Sequence, residues 1–469
     1  MIVFVMLFFV SLVSLLGAFI GVSKRDASDS AAEALGGLWC ESVLAEYDLP
    51  LQQRYCIFGF YGSERETPMR LDYYANRSFE QKKYIDYQGS RVFLDLYSLN
   101  STDCMKKQMV HVGKLLTLKK LGSLSSGGKG TGKEASGIVT HQNGAEKAGR
   151  VLPGGHCSAD SGIIKAYPKA SERGRIGSAA VRSSLPSSGA SGGCSPSQLI
   201  EAVKGMRSLK SAARSGSSRY FLEQYLFAFY RDHVNDRGLD SCFYDHEIEY
   251  IICGHPSDEQ NLKGVKRRII AVREAMNLMF ILQDPEMNEK TLALAEVLAP
   301  GPEAAAVQKL LQTGWALAES RNDYELLIQG KKVPLRKDKK SWAVDLESIL
   351  ESGLQKADKK ESKDDSKSSE RDSVVFKKKI PCIDPGNSYG ENYEDYLRFF
   401  TSLMGEDLRV LRMMDIIQIN MQYGWYSDFL LRNHYCGIEA EFRVNGRSCE
   451  IRRMYYPDSD GQEKLPIRG

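Results

Sequence analysis

The run that most suggests chemistry is Gly127-Gly128-Lys129-Gly130-Thr131-Gly132-Lys133. It fills the first seven positions of a phosphate-binding loop, in which backbone N–H groups cradle phosphates and a following Ser or Thr holds Mg²⁺. Glu134 stands where that hydroxyl is needed, and no strand-like run precedes or helix-like run follows. The match lies in a Gly/Ser/Lys-rich tract where it arises by composition, so nucleotide binding is not expected.

Cys242, His246, Cys253 and His255 form the most compact group of soft ligands. Zinc sites favour Cys-x2-4-Cys and His-x3-5-His spacing. These four alternate in type around a six-residue gap, which suits a buried cysteine pair beside exposed histidines better than a metal. The seven histidines, His111, His141, His156, His233, His246, His255 and His434, are scattered singly, without a nucleophile elbow or paired acidic motif. No catalytic, cofactor-binding or metal-ligating residue is assigned, no cofactor is expected, and the chain reads as a non-enzyme.

Ten cysteines in 469 residues are too few for a disulfide scaffold. Outside the cytosol, Cys436 with Cys449 and Cys242 with Cys253 are the local candidates for bridges. Asn76-Arg77-Ser78 and Asn100-Ser101-Thr102 fit the glycosylation acceptor rule, a short pattern with many chance matches.

The elements that would position these groups begin with Met1–Val22, which carries no charged side chain. A helix of that length spans about 33 Å, matching a bilayer's hydrocarbon core. A cleaved signal peptide would need a basic leading region and a shorter apolar core, although Ala32-Glu33-Ala34 mimics a cleavage site. The expectation is therefore a transmembrane helix over 1–22 that is not removed. Ala31, Leu35, Leu38, Val43 and Leu44 continue a helical stripe, weakened only at Gly36-Gly37. That predicts an amphipathic juxtamembrane helix over 23–50. Lys24 and Arg25 follow the apolar run, which by the positive-inside rule favours a cytosolic C-terminal bulk. The opposite orientation is adopted on the resemblance below, with a basic stretch upstream of Met1 as the expected reconciliation.

Residues 51–120 read as a small α/β region with short strands between Tyr55 and Leu99. Residues 121–218 are rich in Gly, Ser, Ala and Lys without periodicity, and read as a largely disordered insert. From Met105 to Gly216 there are 18 Lys and Arg against 5 Asp and Glu, although the whole chain carries only +3. Specific nucleic-acid binding is therefore not expected; a solvated linker is the simpler reading of the basic insert, and weak contact with anionic envelope polymers is the functional alternative. Residues 219–357 read as a helical module, with a β-like run from Cys242 to Cys253. Its clearest helix carries Val265, Ile269, Val272, Met276 and Met279 at spacings of four and three, and further helices follow at Asn288–Leu298 and Glu303–Arg321. A charged linker is expected over 358–379. A C-terminal α+β unit over 380–469 should hold two helices and a hairpin turning at Asn445-Gly446. The fold class is α+β, and the Met and aromatic stripes on its helices are taken as core.

Several segments carry a resemblance. The anchor leads into Glu41-Ser42-Val43-Leu44-Ala45-Glu46-Tyr47-Asp48 and Arg54-Tyr55-Cys56-Ile57-Phe58-Gly59-Phe60. Later come Glu247-Ile248-Glu249-Tyr250-Ile251-Ile252-Cys253-Gly254, Gly314-Trp315-Ala316-Leu317-Ala318-Glu319-Ser320 and Gly330-Lys331-Lys332-Val333-Pro334-Leu335 before Trp342. Tyr393-Glu394-Asp395-Tyr396-Leu397-Arg398 and Met414-Asp415-Ile416-Ile417-Gln418 complete the set. Together they resemble a family of uncharacterised proteins from Gram-positive anaerobes related to the TadE and TadG pilus-assembly proteins of the tight-adherence (Flp-type) system. The resemblance implies an extracytoplasmic protein held in the lipid bilayer by its N-terminal helix and partnered with pilus or pseudopilin components. It brings no catalytic residues. The apolar segment departs from a polymerising pilin in lacking an early glutamate and a prepilin-peptidase site. A membrane-tethered envelope enzyme and a cytosol-facing helical adaptor are the alternatives.

Overall fold

Between Met1 and Val22 there is neither a charge nor a proline to interrupt a helix. The computed structural model describes residues 2–80, 85–125, 175–176, 179–190, 192–193, 195–206, 208–209, 217–235, 242–356, 374–376 and 380–456. It shows one helix, α1 (Ile2–Leu44), running through the apolar segment and the stripe beyond it. Phe4, Phe8, Leu15 and Phe19 are exposed, and no part of the most apolar stretch is buried against protein. The helix is thus long and apolar enough to cross a membrane. The expected 23–50 helix is the continuation of α1 and stops at Leu44. A second helix, α2 (Leu49–Tyr55), starts afresh at Asp48, whose Oδ1 accepts from Leu51 N–H at 2.9 Å.

The chain continues through β1 (Phe60–Tyr61), α3 (Glu66–Phe79), β2 (Tyr87–Phe93) and α4 (Thr102–Ser125). Then come α5 (Ala179–Ser184), α6 (Pro196–Lys204), α7 (Ser218–Phe229), α8 (Glu247–Cys253), α9 (Asp258–Gln283), α10 (Pro285–Leu298), α11 (Ala304–Ile328) and α12 (Leu346–Ser352). Strands β3 (Leu354–Lys356) and β4 (Val374–Phe376), helices α13 (Tyr393–Leu403) and α14 (Glu406–Gly424), and strands β5 (His434–Tyr435), β6 (Gly437–Val444) and β7 (Arg447–Met454) complete the α+β fold. It divides into two compact units, one from 1–161 with 417–469 and the other from 162–416.

In the first unit, β2, β6 and β7 form an antiparallel sheet in that order. The β6–β7 hairpin turns at Asn445 (φ 50°) and Gly446 (φ 77°), the positive angles a two-residue turn requires. The distal half of α1 lies on this sheet. Trp39, Cys40 and Val43 are buried with Phe79 of α3, Val92 of β2 and Ala440, Phe442 and Ile451 of the hairpin. The Trp39 ring meets Phe79 and Phe442 edge-on, each at 5.2 Å, while its Nε1 donates to Ser78 Oγ at 3.0 Å. Gly36 allows this approach, because a Cβ there would come within 2.4 Å of Ile451 Cδ1 and 3.0 Å of the Phe442 ring.

Three expectations change here. Residues 66–79, within the segment read as short strands, form helix α3, whose buried positions Leu71, Ala75 and Phe79 repeat every four residues. Later in the same segment, β2 ends at Phe93, and Asp95–Tyr97 is a short 3-10 turn in place of a strand. The C-terminal segment 380–469 is not one unit, since its hairpin completes the sheet begun by β2 while α13 belongs to the other body.

The second unit is helical, with α9 and α11 packed along each other and α8 and α10 beside α9. Trp315, Ile281, Val344 and Ile349 are buried together. Trp315 Nε1 donates to the Val344 carbonyl at 2.6 Å. The expected strand at 242–253 is instead an irregular stretch over 242–246 followed by helix α8. Its Ile and Tyr residues are buried on every side, so period 2 and period 3.6 could not be told apart, and Gly254 (φ 72°) ends it as a left-handed cap. The insert read as disordered contains α5 and α6, the latter opened by a Ser195/Gln198 capping box and buried through Leu199, Ile200 and Val203. The charged linker read to 379 includes β4, which pairs with β3 through Leu354↔Phe376. Residues 126–174 of the insert, and 358–373 and 377–379 of the linker, lie outside the described residues.

Candidate functional site

The second unit is held by charged side chains taken out of water. Arg273 of α9 and Asp323 of α11 are both fully buried, joined by an Nε–Oδ2 contact of 2.9 Å. The guanidinium also donates to the carbonyls of Pro334 and Leu335 at 2.7 and 3.1 Å and to Asn277 Oδ1 at 3.1 Å. Lys337 Nζ lies 2.6 Å from Asp323 Oδ1 and pairs with Glu319 as well. Glu319 Oε2 accepts from Val344 N–H at 2.8 Å. Two cations thus face two anions with their remaining hydrogen-bonding capacity largely met, the condition under which such a cluster is tolerated in a core. Burial alone would raise the Asp323 carboxyl, but Arg273 and then Lys337 outweigh it and hold it below its ordinary value.

Two neighbouring contacts have the same character. Glu249 of α8 is fully buried, accepting from Tyr393 OH at 2.7 Å and His233 N–H at 3.0 Å. Burial pushes its carboxyl up to about 8 despite those bonds, so it holds a proton near neutral pH. Tyr250 OH lies 2.9 Å from Asp415 Oδ2, and burial pushes that carboxyl up to about 6. Glu249, Tyr250, Glu319, Pro334, Leu335, Tyr393, Tyr396 and Asp415 all come from the segments that carry the resemblance. The fold makes them one another's partners or partners of Arg273 and Lys337, so their work is to lock helices together.

An accessible feature among the described residues is a cleft of about 720 Å³ between α9 and α11, bordered by Ile380–Cys382. Ile270, Ala318, Ile380 and Pro381 make its lining mainly apolar, and Lys263, Lys266, Arg267 and Arg321 bring four cationic groups against one carboxylate, Glu325. Lys266 Nζ sits 3.4 Å from Glu325 Oε1 and 4.5 Å from the centre of the Tyr324 ring. Asn322 holds the bordering segment at both groups of Ile383, accepting from its N–H at 2.7 Å and donating to its carbonyl at 2.8 Å. Cys382 is the one thiol in the lining, and burial pushes it up, away from the reactive thiolate. No histidine lines the cleft. The lining thus combines an apolar floor with a cationic rim.

The residues singled out for chemistry do not meet at this cleft. The phosphate-loop-like run 127–133, His141 and His156 lie outside the described residues. Cys253 Sγ accepts from Arg268 Nη1 at 2.8 Å, and His255 N–H donates to Asn261 Oδ1 at 2.8 Å. His246 faces His233 edge-on at 4.7 Å, while Cys242 is buried. Among the described residues, no three His, Cys, Asp or Glu side chains gather as metal ligands. His111 stacks against Tyr456 at 4.5 Å, and His434 lies against Phe429 at 4.4 Å with Nδ1 2.9 Å from the Leu430 carbonyl. The glycosylation-like Asn76 and Asn100 are exposed.

Two features went unread in the sequence. The cleft draws on α9, α11 and a segment about sixty residues further on, and only packing brings these together. The Arg273/Asp323/Lys337/Glu319 cluster left a faint trace, since Arg273 and Asp323 sit in helices at positions that a helical stripe would reserve for apolar side chains.

None of the eight described cysteines is bridged. The expected Cys436–Cys449 pair is set apart by the hairpin. Cys449 pairs with Phe442, six residues along from Cys436, which is roughly 20 Å at about 3.3 Å per residue, against the roughly 7 Å limit between bridged Cα atoms. No curated protein and no solved structure matches the chain. The model of DUF5702, a family of unknown function, matches residues 172–446, more than half of the 469 residues, and the chain therefore belongs to that family.

Proposed function

We propose that this protein is a non-catalytic, membrane-anchored assembly component of a tight-adherence type pilus, with the bulk of the chain outside the cytosol and other pilus or pseudopilin subunits as its partners. The observation that carries this reading is the continuity of α1, exposed and apolar through its first half and buried against an antiparallel sheet through Trp39, Cys40 and Val43 in its second. A rigid helix that is at once anchor and core element fixes the folded body to the bilayer without a hinge, which is how pilins and pseudopilins are held. Removal of the anchor as a signal peptide is disfavoured on the same ground, because a cut after Ala34 would take the buried Ala32 out of the core. The cationic, apolar-floored cleft supports a binding role in preference to an envelope enzyme. Its occupant on this reading is an acidic amphipathic segment of a partner subunit.

Deleting the gene in its host is expected to reduce surface pili and adherence, with recovery on supplying the wild-type gene. Unaltered pili on electron micrographs would overturn the pilus assignment. Lys24 and Arg25, directly after the apolar run, favour a second reading in which the chain is a cytosol-facing adaptor. A Ser388→Cys variant in a Cys382→Ser background, compared with that background alone, separates the two, since residue 388 is exposed and Cys382 is an exposed native thiol. Labelling by an impermeant maleimide on intact cells is expected. Labelling only after lysis would favour the adaptor.

A further inference from the structure

We propose that Cys104 and Cys436 are a built disulfide site that covalently ties the N-terminal and C-terminal portions of the first unit. The geometry comes from the backbone around them. Residues 97–99 and 434–436 run against each other, with Cys436 N–H donating to the Tyr97 carbonyl at 2.8 Å and Leu99 N–H to the His434 carbonyl at 2.8 Å. Ser98 and Tyr435 form a bridge between these two bonds. The chain then turns into α4, whose first turn carries Cys104 back so that its Sγ donates to the Leu96 carbonyl at 3.2 Å, next to the residue that holds Cys436. Both cysteines are thus held against the same short stretch, Leu96–Tyr97, Cys104 through its thiol and Cys436 through its backbone, and each thiol shifts the other's titration. Both residues are partly exposed, so an oxidant can reach the pair.

The surroundings also favour exchange. The Cys104 thiol is lowered to about 7, first by its hydrogen bond with Cys436, against burial, and further by Ser101 and Lys107. A thiol titrating near ambient pH is close to the optimum for attack on a disulfide. The same hydrogen bond pushes Cys436 upward, so Cys104 is the attacking sulfur and Cys436 the resolving one.

In the balanced reaction, the Cys104 thiolate attacks one sulfur of an external disulfide, from an extracytoplasmic oxidoreductase or a low-molecular-weight disulfide. A Cys104–S bond forms as the oxidant's S–S bond breaks, and the departing thiolate takes up a proton. Once Cys104 is no longer an anion, its own part in raising Cys436 is gone and only burial still holds that thiol up. Cys436 loses its proton and attacks Cys104 Sγ, and the second external thiol leaves. Two cysteine thiols are oxidised and one external disulfide is reduced to two thiols. The closed loop contains the whole of residues 162–416, so the constraint on the unfolded chain is of the long-loop kind.

Oxidation in the cell rests on the extracytoplasmic placement proposed above, whereas the pairing geometry does not. The test uses the full chain in three ways. Protein taken from host membranes with its thiols trapped in acid is expected to yield a Cys104–Cys436 linked peptide on mass analysis. Reduced full-length protein in detergent, exposed to oxidised glutathione, should form the same link, and Cys436→Ser should stop at glutathione on Cys104. Reduction of the linked protein should lower the unfolding midpoint by roughly 10 °C. If surface labelling of Ser388→Cys succeeds but both native thiols are free in membrane-derived protein, the site is overturned. If the labelling fails, the extracytoplasmic reading fails by itself and the glutathione arm decides: a link upholds the pair, and two free thiols sink it.

Discussion

Glu249 is a carboxylic acid kept protonated by its surroundings, and its burial makes it a pH sensor of the fold. Its folded value, raised to about 8, lies above the ordinary 4.5, so the folded state binds the proton more tightly. That contribution is fully present below about 4.5 and is lost as pH rises through 8. Glu249→Gln keeps a neutral group that can accept from Tyr393 and His233. The melting temperature of the variant minus that of the wild type should therefore increase from pH 5 to pH 8; a flat difference would show that Glu249 titrates normally. The Lys337 ammonium is the converse case, a buried charge needed to neutralise others. Lys337→Met leaves Glu319 and Asp323 facing Arg273 alone and is expected to cost about 3–5 kcal/mol by urea unfolding. Adding Glu319→Gln should recover part of that loss, because the amide oxygen can still accept from Val344 while one uncompensated charge disappears.

At the scale of elements, the contact of α1 with the sheet depends on the absence of a side chain at one position. Gly36 sits in mid-helix, where glycine ordinarily costs about 1 kcal/mol relative to alanine. Its place is explained by Ile451 and Phe442, which occupy the space a Cβ would need. Alanine can be accommodated if the end of Ile451 moves, so Gly36→Ala should be nearly neutral. Gly36→Val brings two further methyl carbons against the Phe442 ring and should destabilise the first unit by about 1–3 kcal/mol. Thermal unfolding of the detergent-solubilised protein, followed by circular dichroism, measures it. Helix α8 depends on Gly254 in a similar way: its φ of +72° is strained for any L side chain, and a Cβ there would lie 2.8 Å from the Arg412 guanidinium.

At the scale of the whole molecule, an apolar N-terminal helix long enough to cross a membrane is combined with a cleft whose rim is cationic. Four positive groups around an apolar floor should retain an acidic amphipathic peptide, and this attraction should weaken with salt because Lys263 and Arg267 are exposed. The paired change Lys263→Glu and Arg267→Glu is expected to weaken binding of a Glu-rich amphipathic probe peptide by about tenfold or more at low ionic strength. Fluorescence anisotropy of the labelled probe reports it, with unchanged melting temperature as the control for folding. Equal affinity for the variant would remove the cleft as an anion site.

The apolar N-terminal helix, the α+β class, the α9–α11 helices, α13, α14 and the Asn445-Gly446 hairpin were legible in the sequence because each is decided locally. An uncharged run, a spacing of three and four, and two residues tolerating positive φ all act within a few positions. Helix α8 was misread because burial on every side erases periodicity, and α6 because a short capped helix is lost in the composition of its surroundings. What depends on distant partners was decided by tertiary structure alone. The pairing of β2 with a hairpin more than three hundred residues later, the matching of Glu249 to Tyr393 and Asp323 to Arg273, and the meeting of Cys104 with Cys436 all require the chain to close long loops. Local sequence sets which groups are available, and long-range packing selects which of them meet.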